Sequence, residues 1–397
     1  MDITQSLALL GGLTPQQFMR RHWQKKPLLV RQALPGFKPI LSRPELFALA
    51  GQEEVESRLV VQGTTGWRMK SGPFAPRSLP ALSKPGWSLL VQGVDMHDAK
   101  AHALLQPFRF VPDARMDDLM ISYASAGGGV GPHFDSYDVF LLQASGRRRW
   151  RIGKQTDFTL QEGVPLKILK NFVPSEEFVL EAGDMLYLPP RYAHDGVAEE
   201  AFSADGKPEA CMTYSIGFRA PSQTELAGAL LQRLAEFGAD DEDSAAVPKL
   251  YRDPQQPATA NPAALPAELT EFARQAVASA LQDPLALACA LGEYLTEPKP
   301  SVWFDEPSDD STRLHLLGAS SDVVLDARTR MMYDEHHIFI NGESYRAKGA
   351  DAWLMRRLAD QRQLTAAELR KASHSAQNLL RDWRDAGWLE FLGGARI

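Results

Sequence analysis

The 397-residue sequence is poor in cysteine, because Cys211 and Cys289 are the only two. They lie far apart and neither belongs to a Cys-x-x-Cys pair, which disfavours both a disulfide framework and a thiolate zinc site. So few cysteines in a chain of this length are typical of a reducing compartment. We therefore expect a cytoplasmic protein.

The sequence also lacks long apolar runs, and none approaches the roughly 20 residues that a membrane-spanning helix needs. The first residues, MDITQSLALLGGLTPQQF, do not combine the basic start and long apolar centre of a secretory signal. Hydrophobic residues make up 44% of the chain and charged residues 23%, which is the composition of a soluble globular protein. We expect neither membrane insertion nor export.

Positive charge is not in excess either. The formal net charge is −7, whereas a surface that neutralises nucleic-acid phosphates normally makes a protein basic or gives it a basic patch. The charge argues against stable nucleic-acid binding. It is compatible with a basic polypeptide partner.

The chain is too long for one ordinary core, so two or three domains are expected. Up to Arg219, short segments rich in β-branched and aromatic residues, such as YDVFLLQA and DMLYLPP, predict the antiparallel strands of a sandwich or barrel. Beyond Arg219, apolar residues recur at helical spacing on both sides of a Pro- and Ala-rich linker at 254–266. Such amphipathic helices often form a dimer interface, although packing against the barrel explains them equally well.

The last hundred residues contain strand-like runs followed by helices and a final short strand, an order that resembles a winged helix. We therefore predict three domains. A catalytic barrel domain occupies 1–219, a helical domain 220–297 and a winged-helix-like domain 298–397.

Two segments predict a metal site. In GGGVGPHFDSYDVF, His133 and Asp135 are two residues apart on a predicted strand and so point to one face. In GDMLYLPPRYAHDG, His194 follows a strand and two prolines. Two histidines and one carboxylate on one face of a metal are typical of non-haem Fe(II) oxygenases, because three positions stay open for a chelating cosubstrate and dioxygen. We predict that His133, Asp135 and His194 are the metal ligands and the catalytic residues.

The segment RRRWRIG offers a cosubstrate anchor. Strand alternation separates Arg148 from the neighbouring arginines and places it on the face of Trp150 and Ile152. A guanidinium on an apolar inward face needs an anionic partner, and its planar fork matches a carboxylate. The distal carboxylate of 2-oxoglutarate would provide this partner. A structural ion pair with an acidic side chain is the alternative.

These motifs resemble the JmjC-type cupin oxygenases and, among them, the bacterial ribosomal oxygenases. The resemblance extends over nearly the whole chain and is carried by FMRRHWQKKPLLV, HFDSYDVFLLQASGRRRWRIG, GDMLYLPPRYAH and the winged-helix-like C-terminus. It implies a mixed α and β fold, in which a cupin double-stranded β-helix (jelly-roll) barrel is followed by a helical dimerisation domain and a winged-helix domain. It also implies a homodimer.

The same resemblance implies an activity. The ribosomal oxygenases use Fe(II), 2-oxoglutarate and O2 to hydroxylate a basic ribosomal protein, and the bacterial members act on an arginine of large-subunit ribosomal protein sixteen. The family pattern assigns the iron to His133, Asp135 and His194, and 2-oxoglutarate to Arg148. A histidine or a methylated lysine is the alternative target, as in related JmjC proteins.

The resemblance also implies further contacts. A hydroxyl residue that related enzymes place on the strand DDLMISYAS to assist 2-oxoglutarate falls on Ala124 here. Ser125 is expected to bind the cosubstrate instead, with Ser122 or water as alternatives. The candidates for holding the substrate side chain are Asp118, Met120, Tyr137 and Ser215.

The alternative to an enzyme is a metal-binding regulator whose winged helix contacts DNA. Residues 321–397 contain twelve Lys and Arg against eleven Asp and Glu. A near-neutral module is a poor phosphate binder, which argues against this alternative. Salt-dependent retention on DNA would support it.

Overall fold

The computed structural model describes residues 1–64, 66–202, 205, 206, 208–237, 250–255, 263, 265–305 and 321–393. The chain divides into two compact units, Met1–Ala220 and Pro221–Ile397. The first unit ends one residue beyond the predicted catalytic domain. The further division predicted between residues 297 and 298 stays a prediction, and most of the predicted linker lies outside the described residues.

The first unit contains strands with a few short helices. The strands are β1 (Leu28–Val30), β2 (Ser57–Gly63), β3 (Gly66–Ser71), β4 (Trp87–Val91), β5 (Met116–Ala124), β6 (Asp138–Ser145), β7 (Arg148–Gly153), β8 (Glu176–Leu180), β9 (Met185–Leu188), β10 (Ala193–Ala198) and β11 (Cys211–Phe218). The α-helices are α1 (Pro15–Arg21), α2 (Arg43–Leu49) and α3 (Ala99–Leu105). Single 3-10 turns lie at Ala8–Leu10, Pro76–Ser78, Val94–Met96, Gln106–Phe108 and Asp113–Arg115.

Two antiparallel sheets form the barrel. Within the described residues, the larger sheet has eight strands in the order β1-β9-β6-β11-β5-β4-β2-β3, and the smaller has three in the order β10-β7-β8. Apolar side chains of β6 and β9 pack against those of β7 and β8 in one cluster, so the two sheets face each other. This is the antiparallel jelly-roll arrangement predicted from the sequence, and the predicted fold class is confirmed.

Strand alternation gives the larger sheet two buried faces. On β6, Phe140 and Leu142 belong to a core shared with α1, α2 and α3. Their neighbours Val139 and Leu141 instead pack with Trp150 of β7 inside the barrel. Because both faces are covered, β6 is buried at every position except the last. The interior face is the one that receives the site.

Helix α1 begins where the sequence predicts it. The Thr14 hydroxyl accepts a hydrogen bond from the Gln17 backbone N–H at 3.1 Å, the Gln17 side chain accepts one from the Thr14 N–H, and Pro15 occupies the first helical position. Phe18 of α1 is fully buried against Tyr187 of β9, with ring centroids 4.9 Å apart. This helix therefore closes the outer face of the larger sheet.

The second unit combines helices with two small sheets. Its helices are α4 (Gln223–Phe237), α5 (Ala267–Ala280), α6 (Pro284–Thr296), α7 (Gly349–Gln361), α8 (Ala366–Leu369) and α9 (His374–Asp385). Its strands are β12 (Ser321–Leu325), β13 (Met331–Tyr333), β14 (Ile338–Ile340), β15 (Glu343–Tyr345), β16 (Gln363–Leu364) and β17 (Leu389–Gly393). Strand β12 pairs with β16 and β17, and β14 pairs with β13 and β15.

The predicted winged helix is present in this second unit. Leu358 of α7 and Leu380 and Trp383 of α9 share one buried core with Val323 of β12. Helix α4 packs against α6. None of the described helices is long and apolar enough to cross a membrane.

Asp184, in the turn between β8 and β9, binds the two residues that follow β1. This buried carboxylate accepts hydrogen bonds from the Arg31 guanidinium at 2.6 Å, the Gln32 backbone N–H at 2.9 Å and the Glu181 backbone N–H at 3.1 Å. Burial alone would raise the pKa of Asp184, but the hydrogen bonds from Gln32, Arg31 and Glu181 offset burial and hold that pKa below its usual value.

We predict that Asp184→Asn lowers the free energy of unfolding by about 2 kcal/mol at pH 7, because an amide cannot accept all three hydrogen bonds and loses the charge. The folded-state pKa lies below the unfolded value of about 3.9. The wild-type advantage is therefore complete above that value and is lost as the pH falls through the folded pKa. Urea unfolding at pH 7 and pH 3 measures it, with the exposed Glu54→Gln as control. A variant as stable as wild type at pH 7 would contradict the prediction.

Candidate metal centre

The three predicted ligands meet at one end of the barrel. A backbone bridge joins them, in which the His133 N–H donates to the His194 carbonyl at 2.9 Å and the His194 N–H donates to the His133 carbonyl at 2.8 Å. Their ring centroids are 4.2 Å apart. His194 lies on β10, whereas His133 and Asp135 precede β6, which begins only at Asp138.

The donor atoms are close enough to share one ion. The Asp135 carboxylate Oδ2 is 3.9 Å from His133 Nε2 and 3.6 Å from His194 Nε2. Ligands that each lie about 2 Å from one ion are at most about 4 Å from each other. Among the described residues, this is the only group of three or more His, Cys, Asp or Glu with ligand atoms within 4.8 Å of one another.

Both imidazoles are prepared to bind a cation. His133 Nδ1 lies 2.9 Å from the Gly131 carbonyl, and His194 Nδ1 lies 2.9 Å from the Tyr192 carbonyl. A carbonyl can only accept, so each Nδ1 carries the proton and each Nε2 presents a lone pair. Burial, followed by the nearby charge of His133, lowers the pKa of His194 to about 4. The ring is therefore neutral at physiological pH. This donor set fits a divalent transition metal.

Phe134, Phe158 and Arg191 pack together beside the segment that carries His133 and Asp135, and we call these three residues the aromatic brace. Phe134 alternates with the two ligands, and its ring centroid is 4.5 Å from that of Phe158 in the β7–β8 loop. The Arg191 guanidinium carbon lies 5.2 Å from the centre of the Phe158 ring. The Arg191 backbone N–H donates to the Asp135 carbonyl at 2.7 Å, from a left-handed conformation with φ of 61°. The brace therefore restrains the backbone that carries Asp135.

The structure places Arg148 inside the barrel with the metal ligands. It is 4% exposed, and its guanidinium carbon lies 5.7 Å from the centre of the Trp150 ring, which is 5.8 Å from the His194 ring. Its NH2 donates to the Ser122 hydroxyl at 3.2 Å and its Nε to the Cys211 sulfur at 3.3 Å. No carboxylate pairs with it among the described residues, so the alternative of a structural ion pair has no partner there.

The neighbouring arginines of the same run face outward, as the alternation predicts. Arg149 pairs with Glu177 and Glu199, and Arg151 pairs with Asp195 on β10. These ion pairs join β7 to both strands beside it in the smaller sheet.

Of the two serines considered for the cosubstrate, the structure places Ser122 at Arg148 and Ser125 elsewhere. The Ser125 hydroxyl accepts from the Trp87 backbone N–H at 3.2 Å and lies 3.4 Å from the Trp87 carbonyl. Ser125 follows the last residue of β5, so it does not continue the inward alternation of that strand. The structure therefore favours Ser122, which was the alternative, over Ser125 as the serine beside Arg148.

The substrate candidates lie on the strands beside this interior. Met120 of β5 pairs in register with Ser215 of β11, and Asp118 lies one step earlier on the same face of β5. The Asp118 carboxylate accepts from the Gly93 N–H at 3.0 Å. Tyr137, beside the ligand Asp135, is 39% exposed. Burial raises the pKa of Tyr137, the charges of Asp117, Asp118 and Asp135 raise it further, and the charge of Arg219 lowers it.

The sequence reasoning did not find four of the residues around the site. Cys211 contacts Arg148, Gln143 contacts Cys211, and Phe158 and Arg191 support the ligand segment. The alternation of β11, on which Cys211, Thr213 and Ser215 share a face, could have indicated the first of them.

Comparison with known proteins supports the resemblance drawn from the sequence motifs. A JmjC domain model matches residues 103–226, and a ROXA-like winged helix model matches residues 279–390. The ribosomal protein uL16 3-hydroxylase of Escherichia coli is 39% identical over 290 residues, which are 71% of this chain and 71% of that protein. A probable ribosomal oxygenase of Haemophilus influenzae is 37% identical over 219 residues, 54% of this chain and 52% of that protein.

A solved structure extends the likeness to almost the full length. YcfD, a ribosomal oxygenase from Escherichia coli in complex with cobalt and 2-oxoglutarate, superposes with a TM-score of 0.78 at 30% identity, covering 96% of this chain and 99% of that one. The resemblance drawn from the sequence motifs is therefore confirmed.

We predict that Phe158→Ala weakens Co²⁺ binding about 10-fold, because losing the brace frees the backbone of the ligand Asp135 while leaving every donor atom in place. Isothermal titration of the metal-free protein with Co²⁺ measures the change. The matched control is Leu160→Ala, which removes an exposed side chain from the same loop. Equal Co²⁺ affinities for Phe158→Ala and the control would show that the brace has no effect on the metal.

Proposed function

Because the chain belongs to the JmjC-type ribosomal oxygenases, we propose that it hydroxylates an arginine of large-subunit ribosomal protein uL16, with Fe(II) held by His133, Asp135 and His194. The protein is a 2-oxoglutarate-dependent dioxygenase. The observation that carries the proposed ligand set is the convergence of two Nε2 lone pairs and one carboxylate on a single point.

The bound iron would supply the coordination of the 2-oxo acid and the activation of dioxygen. The protein itself orients the ligand side chains and keeps them in the state that binds a metal. The Gly131 and Tyr192 carbonyls keep the proton of each ligand imidazole on Nδ1, so both Nε2 atoms stay available. Burial keeps His194 uncharged and limits the access of water to its side of the site.

Arg148 is the proposed anchor of 2-oxoglutarate. Its buried guanidinium has no carboxylate partner within the described residues, and an unpaired buried cation is costly. The distal carboxylate of the cosubstrate would neutralise it through a bidentate pair, with the Ser122 hydroxyl beside it. Fixing the cosubstrate at this end orients its other end toward the metal ligands at a low entropic cost.

The substrate arginine is proposed to lie against Asp118, Met120, Tyr137 and Ser215. A carboxylate beside an apolar and an aromatic side chain suits a side chain that carries a cation on a long alkyl stem. Asp117, Asp118 and Asp135 outnumber the cation Arg219 near Tyr137, and their charge would attract a basic segment of a ribosomal protein.

The proposal includes a cytoplasmic, homodimeric protein that does not bind nucleic acid stably. Helix α5 supports the dimer. Its Leu269 and Val277 and the residue that follows it, Leu281, are exposed, and no residue of α5 is buried. The net charge of −7 agrees with a basic protein partner.

The decisive experiment is to incubate the Fe(II)-loaded protein with 2-oxoglutarate and ribosomal proteins from a host that lacks this activity. Tandem mass spectrometry should find one oxygen atom added to one arginine of uL16, and none with His133→Ala. Oxygen on a histidine would change the target, and formaldehyde release would indicate lysine demethylation. If 2-oxoglutarate is converted to succinate but no ribosomal protein gains oxygen, the substrate assignment is wrong.

We predict that Asp118→Asn lowers kcat/KM for the ribosomal substrate roughly 30-fold, which corresponds to losing about 2 kcal/mol of a charge-assisted hydrogen bond. Its affinity for 2-oxoglutarate should not change, because Arg148 is untouched. Glu162→Gln, an exposed acid of the β7–β8 loop, serves as the control. Unchanged hydroxylation kinetics for Asp118→Asn would remove Asp118 from the substrate site.

A further inference from the structure

A buried chain of polar side chains leads from β11 and β6 of the larger sheet to Arg148 on β7 of the smaller sheet. The Thr213 hydroxyl of β11 donates to Gln143 Oε1 of β6 at 2.9 Å, and Gln143 Nε2 donates to the Cys211 sulfur at 3.3 Å. Arg148 Nε donates to the same sulfur at 3.3 Å. Gln143, Thr213 and Cys211 are each at most 1% exposed. So many polar groups in an otherwise apolar interior are tolerated only when they are paired.

The direction of each hydrogen bond in this chain is determined. The Ser145 carbonyl, 2.7 Å away, can only accept, so the Gln143 amide nitrogen faces this carbonyl and Cys211, and the Gln143 amide oxygen accepts from the Thr213 hydroxyl. The sulfur of Cys211 therefore accepts two N–H groups, one from Gln143 and one from Arg148. Neither Gln143 nor Arg148 can rotate away without leaving a buried donor unpaired, which costs about 1–3 kcal/mol.

The contact with sulfur selects which edge of the guanidinium remains available. Arg148 Nε is directed at Cys211, and one N–H of NH2 is directed at Ser122. In the part of the chain that the structure describes, NH1 has no hydrogen-bond partner, so NH1 and the second N–H of NH2 form a free edge. This free edge can pair bidentately with a carboxylate.

The position of Cys211 explains how the site manages without a hydroxyl at residue 124. Cys211 pairs in register with Ala124, and the two side chains pack together in a small buried cluster. The methyl group of Ala124 offers no hydrogen bond. The polar group at this point of the interior therefore comes from the adjacent strand, as a sulfur atom.

We propose that Cys211 is a positioning residue for 2-oxoglutarate. Its sulfur, oriented through Gln143 and Thr213, holds Arg148 Nε so that the NH1/NH2 edge faces the distal carboxylate of the cosubstrate. The inference rests on the proposed role of Arg148 and deepens it. Cys211 contacts neither the metal ligands nor the substrate candidates in this role, so it acts on cosubstrate affinity alone.

The test is the affinity of the Co²⁺-loaded full chain for 2-oxoglutarate, measured by isothermal titration, together with KM and kcat of the Fe(II) enzyme. Cys211→Ala should weaken 2-oxoglutarate binding and raise its KM about 10-fold, with kcat within about 2-fold. Cys211→Ser restores an acceptor and should recover most of the affinity. Cys289→Ala replaces the cysteine of the other unit and should behave as wild type.

Thr213→Val tests the same chain without touching Arg148 or its sulfur partner. The valine has the same shape but cannot donate to Gln143, so the Gln143 amide oxygen loses its buried partner and only Ser145 still orients the amide. We expect 2-oxoglutarate affinity to fall about 3-fold. Co²⁺ affinity should be unchanged in every variant, which a general loss of structure would not allow.

The outcomes separate this inference from the proposed function. If the wild type binds 2-oxoglutarate, Arg148→Ala abolishes binding, and Cys211→Ala and Thr213→Val bind as wild type, the positioning role is wrong while the anchor stands. If Arg148→Ala binds 2-oxoglutarate as wild type does, the proposed anchor fails and the positioning role fails with it.

Discussion

The two backbone hydrogen bonds between His133 and His194 are the constraint on which the site depends. They join the segment that precedes β6, in the larger sheet, to β10 in the smaller sheet, and so bring together ligands that are 61 residues apart in sequence. Every other feature of the site adds to this bridge. The Gly131 and Tyr192 carbonyls orient the rings, and the brace of Phe134, Phe158 and Arg191 holds the backbone beside Asp135.

The barrel separates two physical tasks by the alternation of its strands. One face of the larger sheet contributes an apolar core with the N-terminal helices, and this core provides stability. The other face contributes the polar side chains around Arg148, which is why residues such as Gln143 and Thr213 are found in strands that are otherwise apolar. These polar residues are tolerated there because each has a hydrogen-bond partner.

The sequence predicted those parts of the site that depend on local spacing. The inward Arg148 and the capped start of α1 at Pro15 follow from separations of a few residues. The strand predicted to carry His133 and Asp135 was wrong, because β6 begins only at Asp138, although the two side chains do lie close together. The sequence did not reveal Cys211, because its contact with Arg148 depends on the pairing of β11 with β5 and β6. That register is set by the whole sheet.

The choice between Ser122 and Ser125 did not need the structure. Strand alternation places Ser122 on the face of Ala124 and Ser125 on the opposite face, so the sequence already favoured Ser122. The left-handed backbone of Arg191 was hidden, because this conformation normally indicates glycine and the sequence has arginine there. Its hydrogen bond to Asp135 and its stacking on Phe158 offset the cost.

Because several arginines lie at the start of β7, the position of Arg148, the proposed anchor, depends on how this strand is aligned with its neighbours. By composition Arg147, Arg148, Arg149 and Arg151 are interchangeable, so a strand shifted by one residue would still bury an arginine and still present others to solvent. Two features distinguish the correct alignment: Trp150 and Ile152 are buried inside the barrel, and outside it Arg149 meets Glu177 and Glu199 and Arg151 meets Asp195. The exterior ion pairs thus help to align β7, so charges on the outer face of the barrel contribute to placing the proposed 2-oxoglutarate anchor inside it.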